Sequence, residues 1–570
     1  MWSCGSPFLV QKSPVKQETT RGLCNIESME NQQITHKDYT TWGASYQLVL
    51  PLNFEFQIPK NDPVRLLRHF IGGMDLSELY RTYSRIEKRQ ASPRQMLAIL
   101  VYANMNGIFS SRKIEAACKR DINFMYLLEG KAAPDHATIA RFRSLHLSSC
   151  IKDIFAQMDA KLDEMGELSL RQLFIDGTKI ESCANKYTFV WKKSVTKQMS
   201  KLLEKLPELF AEAEEDFGIR IAGAEKAKLR HIKRLRRRLK ARQRRDGIEF
   251  VHGTGKRKSP LQKLLEQADE AIRRIKDYTD KLHIAGSRNS YSKTDRDATF
   301  MRMKEDAMRN GQLKPAYNIQ FGVDAQYVVW VTEGPQPTDT TMLIPFLREF
   351  EETFGRKYPR IVADAGYESE ENYAWLEGNG QLAYIKPANY ETSKKRSARK
   401  DIGRRENMAY DAEMDSYTCA NGKKLAATGI RKSKTRTGYV SEKTQYACAD
   451  CKGCPRKGDC IRAGSSKTPM EERSKRFEVA KKFQEQWKKT LERLTSPEGI
   501  ELRVNRSIQA EGSFAQAKGN LSFRRFLSRG RKNVLVEAML LAMAHNMTCL
   551  HNKIQAGKEG QHLFPVATAA

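Results

Sequence analysis

Apolar and polar positions recur with two different periods along this chain, and the period changes near residue 170. From about Leu48 to Gly166 the apolar residues return every three or four positions. That spacing predicts short amphipathic helices in PVRLLRHFI, SPRQMLAILVYANMNG, SSRKIEAACKRDINFMYLL and PDHATIARFRSLHL, with turn or cap residues between them. From Gln172 onward, apolar runs of strand length take over: LFIDGTKI, then much later AYNIQFGVDA, YVVWVTEGP, RIVADAG and QLAYIKPAN. TTMLIPFLREFEETFG and SEENYAWLEGNG read as helices among them, and NRSIQAEGSFAQAKGN carries the helical period downstream. The order is strand, strand, strand, helix, strand, helix, strand and a final helix.

Two long interruptions break this order. Residues 189–310 hold helical segments that include KAKLRHIKRLRRRLKARQRR and SPLQKLLEQADEAIRRIKDY. Leu229, Ile232, Leu235 and Leu239 form an apolar stripe on the first of these, and the rest of it is cationic. A solvated helical arm is expected, and charge this dense and one-signed points to phosphate contact, with Arg234, Arg236 and Arg237 as candidates. Residues 390–485 contain YTCANGKKL and CADCKGCPRKGDC. Cysteines two residues apart in a Gly- and Pro-bearing turn form a knuckle that holds tetrahedral Zn²⁺. Cys451, Cys454 and Cys460 with Cys448 or Cys419 are the candidate ligands, and the fourth place stays open. The remaining divisions are a polar, aperiodic tail at 1–44, a helical region at 45–168, an α/β region at 169–555 and a tail at 556–570.

Three acidic residues stand where this order can use them. Asp176 closes the apolar run of LFIDGTKI, Asp364 closes that of RIVADAG, and Glu511 lies in the late helical stretch. Each Asp is followed by Gly within two residues. A strand that stops on an Asp delivers its carboxylate at a sheet edge, and a helical Glu beside it completes an oxygen cluster for Mg²⁺ or Mn²⁺. Lys518, seven residues after Glu511, falls on nearly the same helix face. The order of elements matches the RNase H-like fold, an α/β architecture with carboxylates on its first strand, fourth strand and a late helix.

Charge narrows the substrate. The 570 residues include 99 Lys plus Arg against 68 Asp plus Glu, a formal charge of +31. Such an excess favours a nucleic acid over a lipid surface or an acidic protein. No apolar stretch nears the roughly 20 residues of a membrane span, and no secretory layout opens the chain. A cytosolic protein is expected, with its eleven cysteines as thiols or metal ligands. The all-α region resembles a helix-turn-helix DNA-binding domain about as well as a plain helical bundle; Ser110–Leu128 and Asp135–Arg143 are its candidate recognition elements. The loop after Lys518 offers Arg524, Arg525, Arg529, Arg531 and Lys532 for phosphates. VLVEAMLLAMAHNMTCL reads as core, with His545 a packing residue. Scattered histidines give no tyrosine-recombinase cluster, and no Walker-type loop is present.

FIDGTKIES, SKTDRDATFMRMKEDAMRNGQLKPAYNIQ, the PTDTT turn, ADAGYES and NRSIQAEGSFAQAK with FRRFLSRGRKNV resemble the DDE transposases of bacterial insertion sequences. Within that insertion-sequence-four-like superfamily they are most similar to the branch numbered eleven-eighty-two. The resemblance runs from about Leu48 to Asn552. It implies Asp176, Asp364 and Glu511 as catalytic ligands of two Mg²⁺ or Mn²⁺ ions. It further implies cleavage at the element's terminal inverted repeats, transfer of the freed 3′-hydroxyl to target DNA, and a cytoplasmic bacterial protein that is nucleoid-associated when bound. The logic of synapsing two ends suggests at least a dimer, a homodimer in the synaptic complex. The third motif departs from the family pattern. Val504 stands where a Tyr is usual, and Arg506 is one residue too far from Glu511, about 140° away on a helix. Arg503 lies closer to the catalytic face, so either Arg can serve. Tyr367 fits the family's aromatic near the second Asp and is expected among the DNA contacts. A stand-alone nuclease of the same fold and a non-catalytic DNA-binding regulator are the competing readings.

Overall fold

The computed structural model describes residues 58–84, 90–226, 228–253, 255–303, 311–462, 464 and 468–562, all within one compact unit. The 1–44 tail, the start of the 45–168 region and the last residues of the 556–570 tail lie outside the described residues.

A mixed sheet organises the molecule. Its strands are β1 (Gln172–Glu181), β4 (Thr299–Arg302), β5 (Leu313–Asp324), β6 (Tyr327–Gly334), β7 (Arg360–Ala363) and β8 (Leu382–Ile385). The order is β4-β5-β1-β7-β8, with β6 also on β5. β1, β5 and β6 form an antiparallel meander, while β7 and β8 run parallel to β1. A strand between two neighbours and under two layers has no solvated side. Leu173, Phe174 and Ile175 are accordingly completely buried, which is why β1 reads as an unbroken apolar run.

Adjacent residues on β5 identify the covering layers, because successive side chains leave a strand on opposite faces. Phe321 stacks on Phe514 of the helix Pro497–Ala515, with ring centres 4.4 Å apart. A side chain at Gly322 would run into Phe346 of the helix Leu343–Phe354. The two helices therefore lie on opposite faces of the sheet. The apolar helix Arg531–Gln555 packs on β6 and on the helices Pro93–Met105 and Leu147–Glu164, so the N-terminal helices and the sheet share one continuous core. Among the described residues it is the one helix long and apolar enough to cross a bilayer, which the sequence reading had excluded, and it lies inside that core. His545 is buried there as a packing residue between Gln516 and the Gln326 carbonyl.

The arm leaves and re-enters through β2 (Phe189–Trp191) paired with β3 (Ser290–Ser292). Its helices Lys192–Phe217, Leu229–Arg245 and Pro260–Ala285 enclose a core of their own, centred on Phe210, Ile232, Leu235, Leu239 and Leu264. By Thr299 the chain is back in the main sheet. Because the two cores are separate, Leu235→Ala should cost the arm about 2–5 kcal/mol. Hydrogen exchange should then speed up in the arm helices while β1 and β5 keep their protection; loss of protection in both would refute separate cores. The 390–485 segment builds a second sheet from β9 (Ala409–Asp411), β10 (Ser416–Thr418), β11 (Lys424–Lys434), β12 (Val440–Cys448) and β13 (Arg476–Val479), in reverse order across the sheet.

Candidate active site

Asp176 does not end its strand, as the sequence suggested. β1 continues to Glu181 against β5, whereas its pairing with β7 stops at Ile175 opposite Ala363. One further step of that parallel register sets Asp176 beside Asp364. The two carboxylates therefore come from neighbouring strands, roughly 4.8 Å apart in the hydrogen-bonding direction. Asp176 lies opposite Phe321 on β5, so it shares the face that Phe514 and its helix cover.

The glycines after each Asp have a common purpose. The Gly177 amide donates to Asp176 Oδ1, and the Gly366 amide donates to Asp364 Oδ1, both at 2.8 Å. Each carboxylate is thereby oriented by backbone. Both glycines also make room for Asp339, which the sequence reading did not pick out. A Cβ at Gly177 would lie 2.5 Å from Asp339 Oδ1 and from Gln320 Nε2, and one at Gly366 would lie 3.2 Å from Asp339 Oδ2. Asn318 and Gln320 hold Asp339 Oδ1 through their side-chain amides at 2.6 and 3.0 Å. Asp339 is the acidic residue of the PTDTT turn, and the glycines in DG and DAG are the further trace of its place in the sequence. Gly177→Ala should destabilise the protein by about 1–3 kcal/mol through overpacking. Chemical denaturation checks this, and an unchanged midpoint would show that the Gln320 and Asp339 side chains simply swing aside.

Tyr367 lies under this edge, not on it. Its ring is fully buried, its hydroxyl donates to Gln320 Oε1, and burial with Asp339, Asp176 and Asp364 close by holds the phenol well above its ordinary pKa. The DNA contact expected of Tyr367 is replaced by support from below.

Glu511 reaches the site through Arg506. The guanidinium lies 2.9 Å from Glu511 Oε1 and 3.8 Å from Asp176 Oδ2, linking the helix to β1. The 140° separation on the helix is overcome by the length of the Arg side chain. Arg503, expected nearer the catalytic face, instead stacks on Tyr390 at 5.3 Å. Lys518 does not continue the α-helical face of Glu511, because a π-helical turn at Gln516–Asn520 intervenes; its ammonium donates to the Lys179 carbonyl at 3.1 Å. Among the described residues, no three His, Cys, Asp or Glu side chains are gathered closely enough to hold a metal ion as they stand. At this edge the Arg506 guanidinium occupies the space between Asp176 and Glu511, a monovalent cation where the donor set suits a divalent one. The oxygen-only donors and their backbone-fixed orientation fit Mg²⁺ or Mn²⁺.

Several other expected DNA contacts turn out to be engaged within the protein. Arg525 donates to the Ser182 and Ala184 carbonyls, Arg529 to that of Cys183, and Arg531 pairs with Glu333 at 2.6 Å. Arg525 and Arg529 fasten the loop to the residues that follow β1, and Arg531 ties the start of the last helix to β6; all three, like Arg524 and Lys532, are exposed. In the arm, Arg236 pairs with Asp269, while Arg234 and Arg237 face solvent. Arg143, the last residue of one candidate recognition element, is buried against Phe109, Ser111 and Glu537.

A family model described as Transposase DDE domain matches residues 418–551, and one described as Transposase domain (DUF772) matches residues 52–145. The first includes Glu511 and begins beyond both aspartates, so the placement of Asp176 and Asp364 rests on the geometry above. No curated protein and no solved structure matches. The two family matches, at opposite ends of a strongly basic α/β chain, support a DDE-type transposase.

Proposed function

We propose that this chain binds the terminal inverted repeats of an insertion sequence and carries out metal-dependent DNA cleavage and strand transfer on an RNase H-like core. The observation that carries the reading is the register placing Asp176 beside Asp364, with Arg506 tying Glu511 to the same edge. The sheet order, three antiparallel strands followed by two parallel ones, supports the RNase H-like assignment. The similarity to the eleven-eighty-two branch remains part of this proposal.

Asp176, Asp364 and Glu511 would hold two Mg²⁺ or Mn²⁺ ions, which when bound activate the attacking oxygen and neutralise charge at the phosphate. The Gly177 and Gly366 amides hold the aspartates in place beforehand, so no reorganisation is needed when DNA arrives. Arg506 offsets carboxylate repulsion in the free protein and can turn to a phosphate oxygen once that role passes to the ions. Lys518, bonded to the Lys179 carbonyl near the end of β1, would contact a neighbouring phosphate, and Arg234 and Arg237 on the arm would contact duplex further away. Glu511 and Gly366 are exposed, as an active site that admits a duplex requires. Joining two ends calls for two such sites, hence a homodimer in the synaptic complex.

The test is incubation of the full chain with DNA carrying the element's ends, in Mg²⁺ or Mn²⁺. Release of a 3′-hydroxyl and its joining to a second duplex is the expected result. Nicking without joining would favour a stand-alone nuclease, and binding without cleavage in either metal a regulator.

A further inference from the structure

The cysteine-rich sheet has no part in the carboxylate chemistry, yet it gathers chemically expensive residues at one end. Cys419, Cys448, Cys451, Cys454 and Cys460 line one small cavity of about 20 Å³, together with Lys423, Lys457 and Lys475. A volume this small admits one ion and little else.

The five thiols are not equivalent. Cys448 is the last residue of β12, paired with Leu425 of β11, and packs at 3% exposure into an apolar cluster with Tyr417, Leu425, Tyr446 and Val479. The other four sit on turns. Cys419 opens a turn closed by Gly422 at φ +72°, and Cys451 and Cys454 flank Gly453 at φ +69°. Left-handed glycines of this kind let a short loop fold back and present thiols to a common point. Cys460 ends the single helical turn Lys457–Cys460. The Cys451 sulfur also accepts the Lys475 amide at 3.3 Å, which orients it.

We propose that Cys419, Cys451, Cys454 and Cys460 bind one structural Zn²⁺, with Cys448 excluded as a packing residue. A four-thiolate site carries net charge −2; the three lysines lining the cavity, less Asp450, which also lines it and pairs with Lys423, leave +2 against it. The sulfurs must draw in to about 2.3 Å from the ion, which the turns allow and the strand position of Cys448 does not. The hairpin of β11 and β12 starts at this end. At its far tip Thr437 and Tyr439 bond Glu371 and Glu370, and Arg436 bonds Gln336, three residues before Asp339. The ion would therefore brace the base of a hairpin whose tip is anchored beside the catalytic edge.

The experiment measures zinc by elemental analysis of the purified full chain, with cobalt substitution as an independent readout of thiolate ligation. About one zinc per chain is expected, falling at least tenfold in Cys454→Ser and Cys419→Ser and unchanged in Cys448→Ala. Cobalt should show thiolate charge-transfer and tetrahedral bands in wild type and in Cys448→Ala. Wild type that takes up neither metal would overturn the site. Loss of metal in Cys448→Ala with retention in Cys419→Ser would overturn the ligand set. Disulfides among the four cysteines in protein purified under reducing conditions would also overturn it.

Discussion

Asp364→Asn should abolish cleavage and joining, by about 1,000-fold or more, while DNA binding persists. The substitution preserves shape and can still accept the Gly366 amide, so the turn after β7 is retained. What it removes is one negative charge from a set that has to hold divalent cations against hydration. Tight metal binding depends on that charge, and roughly 4 kcal/mol of lost transition-state stabilisation corresponds to the stated factor. DNA binding survives because the basic residues that face solvent, such as Arg234, Arg237 and Arg524, are untouched. Gel-shift and cleavage assays on the same preparation separate the two effects. Full activity in Asp364→Asn would remove this residue from the catalytic set, and with it the register argument that pairs it with Asp176.

Glu537→Ala should be the most destabilising single change, costing about 3–5 kcal/mol. Glu537 lies in the buried helix Arg531–Gln555 at 4% exposure, and its carboxylate does three things at once. It accepts the amides of Leu527 and Ser528 at 2.9 and 2.8 Å, and it lies 3.8 Å from the Arg143 guanidinium. Truncation leaves two loop amides without their acceptor and a buried guanidinium without a countercharge. Burial already makes the Arg143 charge costly, lowering its pKa. Glu537→Gln should cost less, because it keeps an acceptor for the loop. Pairing Arg143→Met with Glu537→Ala should recover part of the loss, since the stranded charge is then gone. Denaturant midpoints of wild type, Arg143→Met, Glu537→Ala and the double variant close the cycle, with Glu537→Gln measured beside them. Purely additive costs would mean that the 3.8 Å contact is not energetically coupled. The same loop carries Arg525 and Arg529 to the end of β1, so the variant should also weaken strand transfer at temperatures where it remains folded.

Much of this architecture was legible beforehand. The helices, the principal strands, the arm with its leucine stripe and the buried final helix follow from apolar periodicity, because burial selects side chains wherever an element meets a core. The β9–β13 sheet was not legible. β11 is exposed along nearly its whole length, so its sequence lacks the alternation that announces a strand. The basic residues misled for a different reason. Arginine serves carbonyls and carboxylates as readily as phosphates, and composition does not tell the two uses apart. Arg525, Arg529 and Arg531 bond groups of the protein itself, whereas Arg234 and Arg237 face solvent.

By itself, the sequence determined which residues are acidic, which segments must be buried, and that the chain is cationic enough to seek a polyanion. Those properties belong to side chains one at a time and to their local spacing. The tertiary structure alone decided what stands next to what. Asp176 stands one step past the end of the β1–β7 pairing, Glu511 is tied to it because Arg506 spans the gap, and Asp339 fits only because two glycines lack a Cβ. Each of these depends on where neighbouring elements end, a long-range property that no local window of sequence contains.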